Sequence, residues 1–191
     1  MFKKFIQNTL RIINIFIFKR NLPSKVSIYF HDITSKEHQV IIDIIEFFQY
    51  LDYKFLSISE FTKKLNTEEK IISLSFDDGY ISWIDLLSLF DRYKIPATFF
   101  MNTIQLTDSN LDDYSKRLGM QDADRSTFID INGYKEIIKR NHEIGSHTHS
   151  HFITKKLSKE KMIKEINKNI EILESEKISI NSFAIPYGMR R

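Results

Sequence analysis

Short β-branched runs alternate with amphipathic stretches of helical length along residues 26–185, and no other feature restricts the fold of this chain as much. Strands separated by helical crossovers pair in parallel, so the pattern implies an α/β architecture with an open sheet or a barrel. The strand-like runs are Val26–Phe30, a short one over 55–58, Ile71–Phe76, Ala97–Met101 and Ser182–Ile185. Helices are expected over 40–51, from Ser59 to about Leu65, and over 83–93, 131–140 and 158–174. The last is marked by an apolar stripe of Met162, Ile163, Ile166, Ile170 and Leu173. Residues 102–126 are polar and weakly periodic, the longest irregular stretch in the chain.

Residues able to do chemistry follow these runs: His31 the first, Asp77 and Asp78 the third, and Pro186-Tyr187-Gly188 the last, while His147 and His151 follow Glu143–Ser146. In a parallel barrel such positions gather at one face. The third run, IISLSFDDGY, ends on two adjacent carboxylates and then on Gly79, which lets the backbone turn. Successive strand residues point to opposite faces, so one aspartate could hold a metal while its neighbour stays free as a base. The plain alternative is an Asx-turn closing an ordinary strand.

His147 and His151 are four apart, a spacing that on a helical turn puts two imidazoles on one side. His149 is out of register with them, and His142 sits near a helix end, where a cationic side chain suits the dipole; both are assigned structural roles. Two histidines and one aspartate leave coordination positions open, as in a catalytic metal site. Without cysteine there is no thiolate ligand, which suits zinc or another divalent ion on histidine and carboxylate. Such an ion would acidify water and polarise a carbonyl, and the free aspartate could accept the proton.

At 191 residues the chain suffices for one domain with a full core. The net charge of +3 is unevenly spread. Lys3, Lys4, Arg11, Lys19, Arg20 and Lys25 meet no acidic residue before position 26, and the remainder is slightly acidic, which argues against a nucleic-acid partner. Residues 1–22 read as a basic amphipathic segment, lying on an anionic membrane surface or packed on the domain formed by residues 23–191. Its apolar run is too short to span a bilayer and lacks a cleavage site, so a cytoplasmic or peripherally membrane-associated protein is expected.

Three segments, Ser75–Gly79 (SFDDG), His147–His151 (HTHSH) and Phe183–Gly188 (FAIPYG), resemble in order three motifs of the polysaccharide deacetylases, the NodB-type domain of carbohydrate esterase family four. ATFF at 97–100 and EIGS at 143–146 also look family-like, and VSIYFHD at 26–32 is similar to a first-strand Tyr-His segment. The resemblance runs from about Val26 to the C-terminus. It implies a distorted (β/α) barrel and metal-dependent removal of acetyl groups from N-acetylated sugars of a polysaccharide or oligosaccharide. By position it makes Asp77 the base and Asp78, His147 and His151 the metal ligands. It gives the backbone N–H of Tyr187 to the oxyanion, and places Pro186, Tyr187 and His31 against the substrate. Ala184 stands where much of the family carries an arginine that orients the base. Two later family motifs, including a Leu-x-His that supplies the general acid, do not occur before Arg191, so a barrel lacking its last strands is expected. The functional expectation is a deacetylase or, alternatively, a catalytically impaired glycan- or metal-binding remnant of one.

Overall fold

Strand β3 (Ile71–Asp77) is the member on which the sheet is built. A computed structural model describes residues 22–107, 111–120, 125–152 and 157–188. The basic segment expected at the N-terminus lies, apart from Leu22, outside them. All β3 residues but Asp77 are buried, as expected for a strand covered on both faces. β1 (Lys25–Phe30) pairs with it in parallel along its length, from Lys25 opposite Ile71 to Phe30 opposite Phe76. The other edge is shared: β2 (Lys54–Phe55) pairs with Ile71 and Ile72, and β4 (Thr98–Met101) takes over from Ser75 to Asp77. β5 (Glu143–Ser146) pairs with β4, also in parallel.

The helices are α1 (His38–Tyr50), α2 (Ile58–Lys63), α3 (Trp83–Tyr93), α4 (Asp112–Arg117), α5 (Ile131–Lys139) and α6 (Lys159–Ser175). The parallel α/β architecture matches expectation, and among the described residues the sheet does not close. None of the described helices is long and apolar enough to cross a membrane.

The core between β3, β4 and α3 is aromatic. Phe76 stacks on Phe99 at 5.2 Å between ring centres, with Trp83 and Phe90 packed against the pair. Each is fully buried, which is worth about 1.5–3 kcal/mol for a large apolar side chain. Gly145 is there because β5 passes close to Phe100: any Cβ would overlap that ring.

Three elements differ from expectation. The second strand stops at Phe55, because Ser57 caps α2: its hydroxyl accepts from the Glu60 N–H at 3.4 Å and Glu60 reaches back to its N–H. The last strand is reduced to a bridge between Ser146 and Phe183, with the Ser146 N–H on the Ser182 carbonyl and the Ala184 N–H on the Ser146 carbonyl, both at 2.9 Å. In the stretch after β4 the described residues form a 3-10 turn (Thr103–Leu106), α4 and a second 3-10 turn (Arg125–Thr127).

Candidate metal centre

Alternation along two strands brings Ser27 and Tyr29 of β1 and Ser75 and Asp77 of β3 to the wall of one cleft of about 830 Å³, with His31 just beyond β1. Phe183, Ala184, Ile185 and Tyr187 line the same cleft, so residues from β1 and from the segment bridged to β5 border one space. A cleft of this volume falls in the range of small-molecule sites.

Alternation should turn Asp78 away from Asp77. Instead Asp78 has left the strand at φ +83° and Gly79 follows at +73°, so both carboxylates line the same cleft. The two histidines also meet by a different route from the one expected. No helix runs through 147–151; the chain bends tightly, with Thr148 at φ +65° and His151 at +53°. The imidazole centres lie 5.0 Å apart.

Asp78 Oδ1 is 3.1 Å from His151 Nε2 and 3.5 Å from His147 Nε2. One ligand atom from each of the three buried residues falls within 4.8 Å of the others. His147 Nδ1 faces the Ala184 carbonyl, which orients its ring. One carboxylate oxygen and two imidazole nitrogens, buried and convergent, with the cleft open on one side, form a donor set that fits a divalent ion such as zinc.

The electrostatics agree. Burial alone would raise the Asp78 carboxyl, but His147 and His151 outweigh it and hold it below the usual range. Burial likewise opposes a charge on His147, and the Asp78 and Asp77 carboxylates outweigh it, so His147 is raised. His151 is pushed down to about 4, chiefly by burial. Asp77 moves upward, again chiefly by burial, and its Oδ1 has no hydrogen-bond partner among the described residues.

His31 stands at the mouth, its side chain 52% exposed, with Nε2 3.8 Å from Asp78 Oδ2. The Trp83 indole donates to the His31 carbonyl at 2.9 Å, and the Ser82 hydroxyl donates to Asp32 Oδ1 at 2.6 Å. The start of α3 thus fixes the end of β1. Tyr187 sits in a turn closed by the Gly188 N–H on the Ile185 carbonyl, with its ring 4.7 Å from that of His151. Pro186, expected against substrate, is buried and does not line the cleft.

His142 and His149 have the structural roles expected, with one change of reason. His142 is not a cation at a helix end: burial pushes it down to about 4, and its Nδ1 accepts from the Ala97 N–H. His149 is paired with the Thr103 hydroxyl at 2.9 Å and is likewise pushed down by burial, to about 4.

Several residues at the site escaped the sequence reading. Arg117 lines the cleft, its guanidinium stacked 4.4 Å from the Phe152 ring centre and its Nε donating to the Ser150 carbonyl at 2.8 Å. Its own carbonyl accepts from the Tyr187 hydroxyl at 2.6 Å. Asn102, Gln105 and Tyr114 lie buried behind the ligands. Asn102 follows its strand as the aspartates follow theirs, a signal that could have found it; Tyr114, in a polar stretch, carried none.

A sequence model described as polysaccharide deacetylase matches residues 64–191. The peptidoglycan-N-acetylglucosamine deacetylase of Bacillus cereus is 31% identical over 109 residues, which cover 55% of this chain and 40% of that protein. The chain therefore spans well under half the length of this curated relative. Among solved structures, Streptococcus pyogenes deacetylase PplD in complex with acetate is similar with a TM-score of 0.63 at 18% identity, covering 87% of this chain and 75% of that one. A de-N-acetylase from Aggregatibacter actinomycetemcomitans gives 0.65 at 16% identity, covering 87% and 80%. At these identities the structural likeness speaks for the fold.

Proposed function

The chain belongs to the polysaccharide deacetylase family, and from that premise we propose that it is a metal-dependent hydrolase removing acetyl groups from the N-acetylated sugars of a polysaccharide. The observation that carries this reading is the meeting of Asp77, Asp78, His147, His151 and His31 in one cleft. Asp78, His147 and His151 would hold the metal, for which zinc suits the donor set. When bound, that ion supplies Lewis-acid polarisation of the acetyl carbonyl and lowers the pKa of water at the site.

The protein's own residues do the remainder. Asp77 Oδ1, buried and without a partner among the described residues, accepts the proton of the attacking water as its oxygen bonds to the carbonyl carbon. The Tyr187 N–H receives the developing oxyanion, a role that each well-placed donor fills at a value of about 2.7–4 kcal/mol. The carbon–nitrogen bond then breaks, and the departing amine takes a proton from His31 Nε2, which is held at the mouth by the Trp83 contact to its carbonyl. Acetate and a free amino sugar result.

Acetate release from N-acetylglucosamine oligomers by zinc-loaded and chelator-stripped protein tests the reading. Zinc-dependent release that Asp77→Asn abolishes is expected. A chain that binds zinc and sugar yet releases no acetate is instead a binding remnant of such an enzyme.

A further inference from the structure

Behind the ligands lies a layer of buried polar side chains that the mechanism above does not use. Asn102, Gln105 and Tyr114 all come from the stretch after β4. Their polar atoms converge on backbone carbonyls of residues that carry or adjoin the ligands. Gln105 Nε2 donates to the Asp78 carbonyl, and the Tyr114 hydroxyl donates to the same oxygen at 2.9 Å. Asn102 Nδ2 donates to the carbonyls of His147 and, at 3.1 Å, Thr148. Asn169 of α6 reaches the Thr148 carbonyl from the other side at 2.7 Å. The Tyr114 hydroxyl stands between the two clusters: it accepts from Gln105 Nε2 at 2.7 Å, and its single proton has two acceptors within reach, the Asp78 carbonyl and, at 3.1 Å, Asn102 Oδ1.

The carbonyls held in this way belong to the turns that carry the ligands. Asp78 and Thr148 both have φ in the left-handed region, unfavourable for a residue with a Cβ, and each has its carbonyl clamped by two buried donors. Gly79 fits the same scheme, since a Cβ there would overlap Gln105 Oε1. The orientation of the peptide after Asp78 decides where the carboxylate points, and the orientation of those after His147 and Thr148 decides the spacing of the two imidazoles.

We propose that Tyr114, with Gln105 and Asn102, is a positioning residue: its hydroxyl couples the Asp78 turn to the His147 turn and sets the separation of the three ligating atoms. The proposal rests on the reading of Asp78, His147 and His151 as a metal site. Tyr114→Phe removes the hydroxyl and keeps the ring, packed 5.1 Å from that of Phe128. Tyr53→Phe is the control: Tyr53 is also buried, but its hydroxyl donates to the Pro23 carbonyl at 2.7 Å and touches neither Gln105 nor a ligand-bearing turn.

The test is cobalt(II) binding to the full chain, followed by visible absorption and by competition with a chelator, alongside melting of the metal-free proteins. Tyr114→Phe is expected to weaken cobalt binding by about 10–100-fold and to shift the absorption bands. Tyr53→Phe should stay within about threefold of the parent, with a metal-free melting temperature similar to that of Tyr114→Phe. If Tyr114→Phe keeps the parent's affinity and spectrum, or if the control loses as much, the proposal is overturned. A parent chain that takes up no cobalt overturns the underlying metal reading, and the proposal with it. Should Tyr114→Phe not fold, Gln105→Met removes the other donor to the Asp78 carbonyl and is held to the same outcomes.

Discussion

The Nδ1 atom of His147 lies 2.9 Å from the carbonyl oxygen of Ala184. A carbonyl only accepts, so the contact keeps a proton on Nδ1 and directs Nε2 toward Asp78, 3.5 Å away. The residue at 184, where much of the family has an arginine side chain, thus contributes through its backbone. Elemental analysis of the purified chain should show one divalent ion, with ligand distances of about 2.0–2.2 Å to Asp78, His147 and His151. Replacing both histidines by alanine should remove it, and stoichiometric metal in that variant would refute the ligand set.

Asp77 and Asp78 share a cleft yet have different partners. Asp78 Oδ1 lies 3.1 Å and 3.5 Å from two imidazole nitrogens, which outweigh burial and hold its carboxyl below the usual range, whereas burial raises that of Asp77. Asp77→Asn should keep the metal and lower kcat by about 10²–10⁴-fold, the usual worth of a positioned base. Asp78→Asn should lose metal and turnover together. Equal metal contents in the two variants would contradict this division.

His31 is exposed enough to meet substrate and close enough to Asp78 to belong to the site. If it protonates the departing amine, His31→Ala should lower kcat by at least about 10²-fold at unchanged metal content. The loss should shrink on an aryl amide, whose leaving group needs less help from an acid. An equal loss on both substrates would remove His31 from that role.

His142 is held neutral between Phe90 and Phe99, its pKa pushed down to about 4 from 6.5 by burial. The unfolded chain therefore binds a proton that the folded one refuses, in the window from pH 6.5 down to about 4. Its contribution to stability is fully present above that window and is lost as pH falls through it, by up to about 3 kcal/mol. In His142→Asn an amide oxygen can still accept the Ala97 N–H but does not titrate. Urea midpoints measured between pH 7 and pH 4 should fall less steeply for this variant than for the parent; parallel curves would show that His142 titrates normally.

Periodicity found β3 and α3 because burial on a regular element leaves a repeating trace in sequence. The three residues that meet in the cleft could also be singled out, since Asp78, His147 and His151 stand at the ends of such elements. What periodicity could not supply was the path of the chain between them. Alternation predicted opposite directions for Asp77 and Asp78, and the left-handed turn at Asp78 overrode it. The i,i+4 spacing predicted a helical turn at His147–His151, where positive φ at Thr148 and His151 makes a bend instead. Ser57 was read as strand because its neighbours are apolar, although a serine three residues before Glu60 is also a capping signal. Tyr114 and Gln105 were invisible because their burial comes from tertiary contacts, which a polar local sequence does not advertise.

The sheet order carries a kinetic consequence. β4 separates β3, which leads to Asp78, from β5, which leads to His147 and His151. No pair of short-range contacts can bring the three ligands together; two parallel crossovers must first close, and such long-range closures are slow. A cation held there rewards a completed arrangement and offers nothing to the early encounters. Adding it to refolding chains should leave the rate of folding unchanged and slow the rate of unfolding, as stabilisation gained after the transition state does.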